Sequence, residues 1–146
     1  MNLLIALHGR RAGNDVGARR SRRVAEVSQL VERFVYDLGL IIAGRVVHLE
    51  HYVEAAVARR LRDALEPALA AGAVTRPDFG EYAQLRIEGD LLDLSESVRT
   101  VVEFDDRSTR SDGRGEVVAR SRRRVRLHLL IDPAITTVLD HRVEIV

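Results

Sequence analysis

The chain reads as an α+β domain in which N-terminal amphipathic helices pack on a mostly antiparallel C-terminal sheet with a long hairpin arm. Three observations predict this. Apolar residues recur at helical spacing from Val24 to Leu65, the period changes to two after Gly80, and an Asp112-Gly113 pair stands between two alternating stretches. A chain of 146 residues suits one domain with a sizeable core. Its expected parts are a basic arm or loop over 1–23, a helical part over 24–72 and a sheet part over 80–146.

Leu3–Leu7 is apolar and short, as a strand or a docking arm would be, and Gly9–Ser21 reads as a loop with glycines at 9, 13 and 17. Ser21 is a candidate N-cap. Val24, Val27, Val31, Phe34, Val35 and Leu38 then follow i, i+3, i+4, i+7 spacing, with Glu26, Gln29, Arg33 and Asp37 facing away and Gly39 available to end the helix. Leu40–Leu49 supports two readings. Its β-branched residues favour a strand, whereas Leu38, Ile42, Val46, Leu49 and Val53 line up as a helical stripe broken near Gly39–Gly44, and the helical reading is preferred. From Tyr52 onward a second helix is predicted, with Val53, Ala56, Val57, Leu61, Ala64 and Leu65 buried, Pro67 kinking or ending it and Gly72 closing it. Thr75-Arg76-Pro77-Asp78 reads as a turn.

In the sheet part, Ala83, Leu85 and Ile87 alternate with polar neighbours, as do Val98, Thr100, Val102 and Phe104. Val125, Leu127, Leu129 and Ile131 form one face of a third strand whose other face carries Arg120, Arg122, Arg124, Arg126 and His128. Asp132-Pro133 turns the chain, and Leu139, Val143 and Ile145 belong to a last strand. A type I′ turn at Asp112-Gly113 would put Val98 opposite Leu127, Thr100 opposite Val125, Asp105 opposite Arg120 and Glu103 opposite Arg122. It also sets Arg123 against apolar Val102, which requires the hairpin to have left the core, so residues 104–121 are expected to project as an arm. The alternative is a loop over 107–115 joining two shorter strands. Gly113→Val separates the two, because it strains only a type I′ turn.

Charge is segregated. Every one of the 23 basic side chains is arginine. Residues 1–23 hold six Arg against Asp15, residues 24–106 hold eight Arg against sixteen acids, and residues 107–146 hold nine Arg against five acids. Such a pattern concerns association more than fold. Two basic surfaces follow: Arg10, Arg11, Arg19, Arg20, Arg22 and Arg23 near the start, and the row Arg120, Arg122, Arg124, Arg126, whose guanidiniums repeat every ~6.6 Å along a strand face. Under the hairpin register Glu103 and Asp105 neutralise Arg122 and Arg120, leaving Arg124, Arg126 and Arg99 without a carboxylate. The row serves as a solvated face, an acidic-protein dock or a nucleic-acid dock. The last is disfavoured by the lack of stacking aromatics in the row, in a chain with no Trp.

Chemical signatures are sparse. The chain has no Cys, which excludes disulfides and thiolate metal sites. Residues 3–23 lack the Gly-Lys-Ser/Thr ending of a phosphate cradle. His48-Leu49-Glu50-His51 is neither zincin order, and no third ligand is evident. Asp90/Asp93 and Asp105/Asp106 are paired carboxylates at strand ends and turns, where Asp is common for conformational reasons. No cofactor and no catalytic residue is expected. No apolar run reaches a membrane span, and Leu3–Leu7 is too short for a signal-peptide core, so the expected address is the cytoplasm or an assembled particle.

The order of an amphipathic helical part (24–65), strands (82–105), the closing Arg124-Val125-Arg126-Leu127-His128-Leu129-Leu130-Ile131-Asp132-Pro133 and a final strand resembles small structural proteins of tailed-phage virions. The similarity is to neck, tail-terminator and sheath-like components, and it is architectural. It implies a non-enzymatic assembly subunit whose partners are copies of itself or acidic protein surfaces. An Arg-rich nucleic-acid-associated protein is the second expectation, and a small enzyme or ligand-binding domain with a site between helices and sheet is the third.

Overall fold

A computed structural model of the chain describes residues 2–70, 72, 74–81 and 83–146, with side chains described outside 2–14, 68–70 and 83–84. Its elements are α1 (Asn2–Ile42), a 3-10 turn (Leu49–His51), α2 (Ala55–Ala70), β1 (Val74–Arg76), β2 (Ala83–Glu88), β3 (Val98–Asp106), β4 (Thr109–Ser111), β5 (Val117–Arg120), β6 (Arg123–Asp132) and β7 (Thr137–Ile145). The α+β class therefore holds. Two antiparallel sheets form, a four-stranded one in the order β2-β3-β6-β7 and a three-stranded one in the order β1-β4-β5.

Residues 2–23 are not an arm or loop. Leu3–Leu7, Gly9–Ser21 and Ser21 itself all lie inside α1, which at 41 residues is roughly 60 Å long. Extending a helix that is already anchored costs far less than nucleating one. The strong helix formers Leu, Ala and Arg of this stretch offset three glycines at about 1 kcal/mol each. From Asp15 to Arg22 every side chain is exposed, and burial starts at Val27, followed by Leu30, Val31, Phe34, Val35 and Ile41. Gly39 does not end the helix; Gly44 does. Its φ of +82° is free only to glycine, and Gly44 N–H reaches Ile41 C=O while Arg45 N–H reaches Leu40 C=O, both at 2.9 Å, which together form a Schellman cap.

That cap breaks the stripe expected to run from Leu38 to Val53. Val46 is 89% exposed, while Leu49 and Val53 are buried through the 3-10 turn and the segment after it. In α2 the buried face is Val57, Ala58 and Leu61, with Ala56 and Ala64 exposed. Pro67 sits within the helix and does not stop it. The expected turn at 75–78 is in part strand, because Val74–Arg76 pairs with Thr109–Ser111. The inner faces of β3 and β6 carry Val98, Val102, Phe104, Val125, Leu127, Leu129 and Ile131, which join the buried residues of both helices in one contiguous core. No described helix is long and apolar enough to cross a membrane.

The β3–β6 register differs from the expected one by four positions: Val98 faces Ile131, Val102 faces Leu127 and Phe104 faces Val125. The shift is even, so every side chain keeps its predicted face. Its causes are the turn, which accounts for three positions, and a bulge between Arg110 and Ser111, which adds the fourth. Gly115 N–H bonds Asp112 C=O at 3.1 Å, Asp112 N–H bonds Glu116 C=O at 2.9 Å, and the positive φ (+83°) belongs to Gly115, not Gly113. This is a three-residue turn with a G1-type bulge, not a type I′ turn. The Asp112 carboxylate accepts the N–H groups of Arg114 and Glu116 at 2.9 and 3.0 Å, an Asx function that an Asp-Gly pair serves equally well. Gly115→Val should accordingly cost about 1–2 kcal/mol in denaturant titrations, since it forces a Cβ into the left-handed region. Gly113→Val, with no heavy atom within 4 Å of a built Cβ, should change stability by less than about 0.5 kcal/mol. The opposite ranking would restore the type I′ turn.

The hairpin beyond Asp106 does leave the main sheet, but it is no free arm. It turns off at Arg107-Ser108 and Ser121-Arg122, and β4 and β5 continue as the small sheet with β1 along one edge.

Candidate interaction surface at the hairpin bend

The bend is fastened by one carboxylate. Asp106, 4% exposed, accepts Ser108 N–H at 3.0 Å and Ser108 Oγ–H at 2.5 Å on one oxygen and Arg123 Nε–H at 2.9 Å on the other. It thus ties both rims of the hairpin where the ladder stops. Arg107 N–H bonds Asp78 C=O and Ser121 N–H bonds Ser108 C=O, each at 2.8 Å, which holds the two departing chains in place. Arg123 faces Asp106 and not Val102, so the charge that seemed misplaced on an apolar face has a buried partner.

The departure of the two rims opens a concave cleft of about 540 Å³. Arg107, Arg120, Arg122, Arg123 and Arg124 line it, with Asp105 and Asp106 as its only carboxylates among the described residues. Its formal lining charge is +3. Which arginines are neutralised is the reverse of the sequence expectation. Arg124 Nε–H and Nη1–H donate to Glu103 at 3.3 Å and Asp105 at 3.0 Å, and Arg126 bonds Glu103 at 2.8 Å with Glu144 at 3.5 Å. The guanidinium of Arg126, foremost, holds the Glu103 carboxyl below the usual carboxylate range, and His128, followed by Arg126, does the same for Glu144. Arg120 and Arg122 are exposed and make no ion pair among the described residues. Moving the register by four positions transfers the acids from one half of the row to the other.

The second basic surface lies on α1. Arg19, Arg20 and Arg22 are exposed, Arg23 bonds Glu26 at 3.2 Å and Pro133 C=O at 3.3 Å, and Arg10 and Arg11 fall among the side chains outside the described ones. The two basic surfaces do not converge. Arg23 touches the β6–β7 turn, whereas Ile42 at the other end of α1 lines a small hollow against Ser108 and Arg123. Nineteen helical residues separate those contacts by roughly 30 Å. Beside Arg19–Arg23 runs the 88–96 segment, where Glu88, Asp90, Asp93 and Glu96 stand with no base among them.

The other sequence candidates resolve into structural roles. Asp90 accepts Leu92 N–H at 2.9 Å, and Asp93 accepts Ser95 N–H at 3.0 Å and its hydroxyl at 2.6 Å, so both shape turns. His48 and His51 are exposed with ring centroids 6.1 Å apart, edge to face. Glu50 between them turns to Arg62, whose hydrogen bond pushes its carboxyl down to about 2. Among the described residues no group of three or more metal-ligating side chains assembles. The stretch considered as a phosphate cradle is helix throughout and supplies no glycine loop.

Two features were missed by the sequence reading. Asp37, expected to face away, is 8% exposed and accepts the Tyr52 hydroxyl at 2.6 Å. Arg33 lies 3.8 Å from the same carboxylate and 4.4 Å over the Tyr52 ring, so the three residues clamp the end of α1 to the 3-10 turn. Burial, then Asp37, pushes the Tyr52 phenol far above its ordinary range. Arg33 and Asp37 stand one helical turn apart, which signals an ion pair but not its burial. The second is the contribution of Arg107 and Arg123 to the cleft; the mismatch of Arg123 with Val102 was its signal.

Comparison with known proteins finds no family model and no curated sequence that matches this chain.

Proposed function

We propose that the chain is a non-enzymatic assembly subunit that docks through its unpaired arginines onto acidic protein surfaces. It would serve as a neck, tail-terminator or sheath-like component of a phage virion. The observation that carries this reading is the cleft at the hairpin bend, where five guanidiniums meet two carboxylates and Arg120 and Arg122 are left without a partner among the described residues. Arginine in a concave site matches carboxylates by forked hydrogen bonds. The 88–96 segment, rich in acid and separate from the residues that line the cleft, gives each copy a surface of the opposite kind, which suits head-to-tail contact.

Sizing with light scattering at low and high salt, with absorbance read at 260 and 280 nm, tests the proposal. The expected result is a nucleic-acid-free assembly, formed alone or with an acidic partner protein, that shrinks at high salt. Arg120→Glu/Arg122→Glu should abolish the salt-sensitive part while leaving far-UV circular dichroism unchanged, because neither side chain holds the fold. A salt-stripped 260 nm signal would transfer these arginines to nucleic acid. A species whose mass responds neither to salt nor to the double substitution would overturn the proposal.

A further inference from the structure

We infer that the free edge of β7 pairs antiparallel with the same edge of a second copy, centred on Val143, to join two four-stranded sheets into one. This surface is distinct from the cleft and does not rest on it.

β7 is an edge of its sheet. Val146 N–H bonds Arg124 C=O at 3.0 Å, so by the period of two the backbone groups of Val146, Glu144 and Arg142 point toward β6. Those of His141, Val143 and Ile145 point toward the free edge. The start of the strand is closed instead: Val138 N–H bonds Tyr52 C=O at 2.7 Å, and Glu54 N–H bonds Val138 C=O at 2.9 Å. Past the bulge at Leu139 and the Arg60–Asp140 ion pair at 3.0 Å, little of the usual edge protection remains. The strand holds no proline, and its inward-facing residues include no Arg, Asp or Glu. Val143 and Ile145 are 47% and 54% exposed, although their neighbours on β6, Leu127 and Val125, are 1% and 4% exposed. The apolar face of the sheet therefore runs out uncovered at this strand.

The sequence Asp140-His141-Arg142-Val143-Glu144-Ile145-Val146 is complementary to itself. Antiparallel pairing about Val143 sets Arg142 opposite Glu144 of the second copy twice, with His141 opposite Ile145 and the two Val143 side chains face to face. It uses the outward backbone groups of residues 141, 143 and 145 in full. Sliding the centre to His141 would drive the second copy's Glu144 against Val138, whose backbone is already taken by Tyr52 and Glu54. Sliding it to Ile145 sets Glu144 opposite Val146 and so breaks the Arg142–Glu144 pairing. Among the described residues Arg142 makes no carboxylate contact within one copy, its polar neighbour being His128 at 3.3 Å. An isologous two-fold contact satisfies it.

The chain contains no cysteine, so single cysteines read the register directly. Under mild oxidation Val143→Cys should cross-link to a covalent dimer in high yield, since facing residues of a hydrogen-bonded pair lie ~5.5 Å apart, within disulfide reach. Glu144→Cys alone should give far less, because its counterpart is Arg142. By light scattering at high salt, which dissolves contacts made through the cleft, the wild type should remain a dimer, and Val143→Arg should halve that high-salt mass while keeping its circular dichroism. A monomeric wild type, a dimer that survives Val143→Arg, or a stronger cross-link at 144 than at 143 would each overturn the inference. Arg120→Glu/Arg122→Glu should leave this dimer intact, so failure of the cleft proposal and failure of this one are read apart.

Discussion

Phe34→Ala should lower the stability of the chain by about 3–5 kcal/mol, the usual cost of emptying a fully buried aromatic site. Phe34 is 0% exposed, and its ring lies 6.0 Å from that of His141 on β7. It is therefore where the long helix meets the sheet, and few atoms are free to collapse into the space it leaves. A domain holds about 5–15 kcal/mol in total, so the loss is a large share of it. A fall in the urea midpoint, at unchanged slope, is the measurement. Tyr36→Ala, two residues away on the same helix but 69% exposed, should move the midpoint by less than about 0.5 kcal/mol. Similar effects from the two would mean that α1 does not seat on the sheet through the Val31–Phe34 face.

The contrast between those neighbours was legible in the sequence, because the spacing Val27, Val31, Phe34, Leu38 fixes which side of the helix is inside. Strand faces were legible for the same reason, as the alternation from Val125 to Ile131 survives in every observed pair. What the sequence hid is long-range. Gly113 and Gly115 flank Arg114, and local chemistry does not say which of them takes the positive φ. That choice, with the bulge between Arg110 and Ser111, moves the register by four positions and decides which arginines are neutralised. The cleft is further removed, since it exists because the hairpin bends to pair with Val74–Arg76, a segment whose Pro77 made it read as a turn. At the other end, glycines at 9, 13 and 17 suggested a loop, while their spacing of four places them along one side of a helix that the packed half of α1 propagates.

Asp106→Ala should cost about 3 kcal/mol, and more of the bend than of the core. The substitution removes the acceptor of three donors at once: Ser108 N–H and Oγ–H, both buried, and Arg123 Nε–H. Arg123 is 51% exposed and can turn to water, so its share of the loss is small, and most of the cost falls on the stranded Ser108 groups. Burial alone would raise the Asp106 carboxyl, but the Ser108 hydroxyl and N–H, followed by Arg123, outweigh it and hold it below the ordinary value of 3.8. A carboxyl depressed on folding contributes stability above its unfolded pKa and loses it as the pH falls through the folded one. The gap between wild type and Asp106→Ala should therefore be full at neutral pH and narrow below about pH 3.8. Asp106→Asn, which keeps an acceptor oxygen for Ser108, should lie between the two and lack the wild type's acid slope. Because Asp106 also aligns the rims that carry Arg107, Arg122 and Arg123, the alanine variant should lose salt-sensitive docking along with stability. It should keep the β7 contact at the far edge strand, two strands from β3.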